Sequence, residues 1–326
     1  MITLINPPGL KTFSGLQMHT PNPPLGLAYI AASIAQSGRP YFVIDAVGED
    51  LGSITPYPER DDLMVQGLSI SNIVANIPEQ SEVICVACMF STLWPLTRRI
   101  SDAVRKRFPD ALLVLGGEHG TAVPEHVLSS SSFDVVVLGE GEETIINLIE
   151  SKRDAEALSN IKGVAFIDEG KFISTGLPDR RRNVDDIPMP DWDSFPIENY
   201  IDQHQINGVN VGRSMPLLAT RGCPYECTFC SNPNMWTRRY IPRDPKKVVD
   251  EMELYVEKYR VSNFDFQDLT AIVKKSWAVD FCNELLSRGL NVTWQMPSGT
   301  RSEIFDDEVA DLLYRSGCYA LAFAPE

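Results

Sequence analysis

The stretch Arg221-Gly222-Cys223-Pro224-Tyr225-Glu226-Cys227-Thr228-Phe229-Cys230 sets three cysteines at the spacing C-x3-C-x2-C. Thiolates are soft ligands that select zinc or iron–sulfur clusters over harder metals. The run follows a short apolar segment, Leu217–Thr220, that reads as a strand, and its own composition is that of a loop, so all three sulfurs can converge. A structural zinc site is closed by four ligands. The nearest downstream candidate, Cys282, shares a helical face with Trp277, Ala278, Phe281 and Leu285 and reads as core. Three ligands alone suit a [4Fe–4S] cluster with one iron left open to a chelating small molecule; a zinc-ribbon-like structural site is the alternative. Cys85 and Cys88 have C-x2-C spacing, but residues three apart in a strand face opposite sides. Both are assigned to packing, as is Cys318.

A second constellation lies upstream. Successive apolar runs end in small or polar residues: Ser91-Thr92 after Val83–Phe90, Gly116-Gly117-Glu118-His119 after Leu112–Leu115, and Gly139-Glu140-Gly141-Glu142 after Val135–Leu138. Glycine lets a flat or bulky ligand approach the backbone closely. One such turn is ordinary; three in succession point to a cofactor. Among the histidines, only His119 stands out, because it closely follows Gly-Gly at a strand end.

The elements that must position these groups alternate. Apolar runs at Ile2–Asn6, Tyr41–Asp45 and the three above are separated by helical patterns at Leu25–Gln36, around Ser71–Ile77, and at Leu96–Phe108, Pro124–Leu128 and Glu142–Glu150. Continuous β-branched runs such as Val135-Val136-Val137 suit strands covered on both faces. Five βα units predict a flavodoxin-like, doubly wound parallel sheet over residues 1–152, which binds ligands outside the carboxyl ends of its strands. The long Pro- and Gly-rich connection from Pro7 to Pro24 lies at one such end. Residues 153–205 read as a hairpin (Val164–Ile167, Lys171–Ser174) and a linker, in which Arg180-Arg181-Arg182 is taken as a solvated loop. From Pro216 the alternation resumes with helices Pro245–Arg260, Lys275–Arg288 and Asp306–Ser316 and strands Phe264–Gln267, Val292–Met296 and Ala320–Phe323.

The whole is 326 residues, enough for two domains. The formal net charge of −15 disfavours nucleic acid partners. No apolar stretch reaches membrane-spanning length, and the N-terminus has no signal-peptide pattern. An odd count of seven cysteines argues against a disulfide framework. A cytoplasmic protein is expected.

With Cys223-x3-Cys227-x-Phe229-Cys230 behind a first strand, the chain resembles the radical S-adenosylmethionine (SAM) superfamily. Pro23-Pro24-Leu25-Gly26-Leu27-Ala28-Tyr29 and the glycine turns are similar to its cobalamin-binding branch. The resemblance implies that residues 206–326 form part of a (β/α) barrel, and that its C-terminal βα units are absent from this chain. It implies a [4Fe–4S] cluster on Cys223, Cys227 and Cys230. It places SAM on the open iron, near Phe229 and, by position at later strand ends, Asp268, Ser298 and Glu326. It assigns cobalamin to Ser91, Thr92, Gly116, Gly117, Glu118, His119, Gly139, Glu140 and Gly141. No Asp-x-His-x-x-Gly loop follows the first strand, so no protein imidazole is expected below the cobalt. The implied activity is methyl transfer to an unactivated carbon of a small molecule or lipid through a 5′-deoxyadenosyl radical, with electrons from a flavodoxin- or ferredoxin-type donor. Cyclisation or rearrangement with the same cofactors, or a non-catalytic binding module, are the alternatives. The basic run Arg238-Arg239, Arg243, Lys246-Lys247 is read either as a contact for an anionic substrate or as a solvated helix entry.

Overall fold

The computed structural model describes residues 1–12, 21–151, 154–181 and 183–324, in two compact units. One is built on the first strand, Gly26–Arg180 and Ile187–Ile197; the other on Arg181–Asp186 and the chain from Glu198 onward, with the short stretch before Gly26.

In chain order the first unit contains β1 (Ile2–Asn6), β2 (Gly9–Thr12), α1 (Leu25–Gln36), β3 (Tyr41–Asp45), β4 (Ile54–Pro56), β5 (Leu63–Gln66), α2 (Ile70–Asn76), β6 (Val83–Ala87), α3 (Trp94–Arg107), β7 (Leu112–Gly116), α4 (Glu118–Ala122), α5 (Pro124–Ser130), β8 (Val135–Val137), α6 (Thr144–Ser151), α7 (Ala155–Ser159), β9 (Val164–Asp168) and β10 (Lys171–Ser174). Its sheet runs β10-β9-β8-β7-β6-β1-β3. The five strands from β3 to β8 are parallel, in the flavodoxin-like order. The hairpin β9–β10 extends this sheet by antiparallel pairing of Phe166 with Val135, so it belongs to the first unit and not to a separate linker. A small antiparallel sheet, β2-β5-β4, is an addition that the sequence reading lacked.

Burial explains the strands. Leu4, Ile5, Ile84, Leu113, Leu115, Val135 and Val136 are all fully buried between helical layers, each contributing about 1.5–3 kcal/mol by removal from water. Small residues at Ala28, Ala31 and Ala32 let α1 lie close to the sheet. Helix α3 ends in Arg105, Lys106 and Arg107, which suits the negative end of its dipole. Arg105 reaches Asp134 at 2.6 Å and so ties the helix to the start of β8.

The second unit contains α8 (Ile197–Asp202), β11 (Ser214–Leu217), β12 (Thr220–Arg221), α9 (Asn232–Met235), β13 (Ile241–Pro242), α10 (Pro245–Tyr259), β14 (Asn263–Phe266), α11 (Lys275–Arg288), β15 (Thr293–Thr300), α12 (Asp307–Arg315) and β16 (Cys318–Phe323). Strands β11-β14-β15-β16 form a parallel sheet with α10, α11 and α12 as crossovers. Alternation along β14 sends Phe264 and Phe266 to the helix side, where Phe266, Phe281 and Trp294 meet edge to face at 5.3–5.6 Å. It sends Asn263 and Asp265 to the other side, where Asp265 accepts hydrogen bonds from Gly208 N (3.1 Å), Asn263 Nδ2 (2.9 Å) and Gln295 Nε2 (2.7 Å). Asp244 caps α10 through Lys246 N, with Pro245 following, and Gly289 ends α11 with φ +63°. No helix among the described residues is long and apolar enough to cross a membrane.

Candidate cofactor sites

At the carboxyl edge of the first sheet, β6, β7 and β8 are neighbours, so the three glycine and polar turns lie side by side. Ser91 and Thr92 form an exposed 3-10 turn after β6. The turn after β7 is fastened to it: Cys88 N donates to Gly116 O (2.8 Å), His119 N to Cys88 O (3.2 Å), and His119 Nδ1 meets Ser91 Oγ at 2.9 Å. Gly117 has φ +107°, and a Cβ there would sit 2.6 Å from Cys88 O, so only glycine fits. A Cβ at Gly116 would meet nothing within 4 Å; its side of the backbone opens onto free space. Gly139 has φ +64°, and its N–H donates to Thr121 Oγ1 at 3.0 Å, which joins the third turn to the second.

His119 is buried against Trp94, ring centroids 4.9 Å apart, and its Nε2 has no hydrogen-bond partner in the protein. Burial, and then the nearby His126, hold its imidazole below the ordinary range. Burial pushes the Glu118 carboxyl up. Glu140 faces Arg180, whose Nε lies 3.1 Å from Oε2 and Nη2 3.4 Å from Oε1, with both side chains about nine-tenths buried. Arg180 is therefore not part of a solvated loop: its charge is inside, fixing the Gly139-Glu140-Gly141 turn.

In the second unit, the chain leaves β11, and Thr220 and Arg221 then pair antiparallel with Pro242 and Ile241. This two-rung ladder closes the base of an excursion that carries all three cysteines. Cys223, Cys227 and Cys230 are unoxidised, and Cys230 is exposed. Burial pushes the Cys223 thiol up, and an N–H of Tyr225 acts the other way. Among the described residues no three His, Cys, Asp or Glu side chains are gathered at the spacing of a single-ion site. Asn232 N donates to Cys230 Sγ at 3.4 Å, while Asn232 Nδ2 donates to Cys223 O and Thr237 O, each at 3.3 Å. Arg301 lies 4.3 Å over the Tyr225 ring, and Arg221 lies 5.5 Å over Trp236. Phe229 is 75% exposed beside Cys230. Cys282 is far from this role: it is fully buried on α11 and accepts from Ser316 Oγ at 3.4 Å.

A profile described as B12 binding domain matches residues 15–149. The anaerobic magnesium-protoporphyrin IX monomethyl ester cyclase of Cereibacter sphaeroides is 31% identical over 93% of this chain and 47% of its own length. The cytidylyl-2-hydroxyethylphosphonate methyltransferase of Streptomyces wedmorensis is 28% identical over 93% of this chain and 61% of its own length. The radical SAM methyltransferase TsrM of Kitasatospora setae, solved with cobalamin and a [4Fe–4S] cluster, superposes with TM-score 0.71 at 19% identity, over 100% of this chain and 60% of that one. The chain thus carries a match to a B12 binding domain and, over its whole length, resembles the cobalamin-binding branch of the radical SAM superfamily. It spans about half the length of the curated relatives it matches.

The donor chemistry fits that resemblance. Three free thiols on one excursion, one of them receiving a backbone N–H, are a donor set of the kind an iron–sulfur cluster takes, and the backbone at Gly116 is open to close approach. The three positions read as nucleoside contacts separate. Asp268 is 2% exposed and engaged with the backbone at Ala219 and with Thr220; Ser298 is exposed where the β15–β16 register shifts; Glu326 lies outside the described residues. Two members of the basic run are paired: Arg238 with Glu226, and Arg243 with Glu251 at 2.6 Å and Asp185 at 3.4 Å. Sequence reasoning missed Arg221, Asn232 and Arg301 around the loop. Adjacency to the cysteine motif was the available signal for the first two; nothing local marks Arg301.

Proposed function

We propose that this chain holds the cofactors of a cobalamin-dependent radical SAM enzyme, a methyltransferase acting on an unactivated carbon of a small molecule or lipid. The observation that supports it most is the pairing, in one chain, of a B12-binding domain with a closed excursion bearing three free cysteines. Cys223, Cys227 and Cys230 would hold the cluster, with Phe229 beside the SAM adenine; the turns at Ser91-Thr92, Gly116-Gly117-Glu118-His119 and Gly139-Glu140-Gly141 would cradle the corrin. When bound, these groups supply a radical that removes a substrate hydrogen atom and a methyl group to replace it. The protein's part is positional. The β12–β13 ladder fixes where the cysteines emerge, Asn232 N–H lends a hydrogen bond to a sulfur, and Gly117 lets the second turn pack on Cys88 without a clash. Electrons would come from a flavodoxin- or ferredoxin-type donor in the cytoplasm.

A second reading, cyclisation or rearrangement with the same cofactors, is favoured by the 31% identical cyclase relative. The test is anaerobic reconstitution followed by three measurements on one sample: iron and sulfide, 5′-deoxyadenosine release under a strong reductant, and label transfer from methyl-labelled SAM to cobalamin. Iron, sulfide and methylated cobalamin support a methyltransferase. Deoxyadenosine without methylation of cobalamin supports the cyclase reading. Zinc without sulfide overturns both.

A further inference from the structure

Strand β11 leaves its sheet after Leu217, where Gln267 N still donates to Leu217 O at 2.9 Å. Two residues later the chain must turn outward to carry the cysteines, and at Ala219 and Thr220 it is almost entirely buried. Without an acceptor their N–H groups would be orphans there, and a buried unpaired N–H is costly. Asp268, two residues past the end of β14, supplies the acceptors. Ala219 N–H lies 3.1 Å from both of its carboxylate oxygens, the Thr220 hydroxyl donates at 2.6 Å, and Thr220 N–H also contributes. From the opposite side Arg243 N donates to Ala219 O, and Arg243 Nη1 to Leu218 O, each at 2.8 Å.

We propose that Asp268 is a positioning residue for the cluster: its carboxylate replaces the missing strand at the neck of the cysteine excursion and sets the direction in which Cys223 leaves the sheet. It holds the neck rather than the nucleoside: the residue is 2% exposed, and its carboxylate faces Ala219 and Thr220. The inference rests on the cluster assignment to Cys223, Cys227 and Cys230. Asp268 is remote in sequence from the motif, and its reach is backbone to backbone, so its loss loosens the base of the loop without removing a ligand.

Four variants of the full chain decide the matter: Asp268→Asn, Thr220→Val, Thr220→Ser and Cys223→Ala. The readouts are iron retained against a chelator, the electron paramagnetic resonance spectrum of the reduced cluster before and after SAM, and cobalamin binding as a check on the first unit. Asp268→Asn and Thr220→Val should lose iron about tenfold faster than wild type, within the range seen when groups supporting metal ligands are removed. Thr220→Ser, which keeps the hydroxyl, should restore retention, and cobalamin binding should be unchanged throughout. If Asp268→Asn does not fold, the two Thr220 variants decide alone. Wild-type retention in Asp268→Asn and Thr220→Val, with only the SAM-induced spectral change lost, overturns the proposal and makes Asp268 a nucleoside contact. Wild-type iron in Cys223→Ala overturns the cluster assignment itself.

Discussion

His119 shows what one buried ring can report. Its Nδ1 is bonded to Ser91 and its ring rests on Trp94, so it joins two of the strand-end turns from within. Its imidazole is held below the ordinary value of 6.5, first by burial and then by His126. The unfolded chain therefore takes up a proton before the folded one does. The stability linked to His119 is complete above about pH 6.5 and is lost as pH falls through the depressed folded value. Thermal melts of the cobalamin-free protein between about pH 7 and 5 should show this loss, and His119→Gln should flatten it. An unchanged slope in the variant would assign the loss to other groups. For cobalamin itself, the lack of an Asp-x-His-x-x-Gly loop predicts that electron paramagnetic resonance of the Co(II) form shows no nitrogen splitting that depends on His119; a splitting lost in His119→Gln would make its unpartnered Nε2 a cobalt ligand.

At the scale of elements, adjacent glycines have opposite duties. Gly117→Ala forces a side chain into φ +107° with its Cβ 2.6 Å from Cys88 O; the backbone strain alone costs about 1–3 kcal/mol. Gly116→Ala meets nothing within 4 Å, so its melting temperature should match wild type while cobalamin affinity falls, as seen by absorbance titration. Equal affinity in Gly116→Ala would remove that turn from the cradle. The neighbouring turn depends on charge. Arg180→Ala removes the guanidinium that faces Glu140 in a nearly dry site, and breaking a buried pair in this way costs about 3–5 kcal/mol. Denaturant titration of the variant measures it directly.

For the whole molecule, cobalamin should stabilise the unit that binds it. At a hundredfold excess over its dissociation constant the gain is about 2.7 kcal/mol. Hydrogen exchange should then slow at the turns around Gly116–His119 and Gly139–Gly141. The 218–242 segment should respond to cluster reconstitution instead. Protection confined to the wrong unit in either experiment would refute the assignment of cofactors to units.

Much of this was legible in the residues alone. The cysteine spacing, the β-branched runs and the glycine turns are local patterns, and they led to the parallel sheet order, the family resemblance and the helices Leu25–Gln36 and Lys275–Arg288 with their ends as observed. What tertiary structure decided is which polar groups remain available to a ligand. Glu140 and Arg180 pair across 40 residues, Asp268 reaches Ala219 across 49, and Arg243 meets Asp185 across 58. Each of these looked like a candidate contact or a solvated charge, because a sequence displays a charged residue without its partner. The partner appears only when sheet register and loop path bring distant segments together, and burial then makes the pairing obligatory: an ionised group without one is too costly in a dry interior.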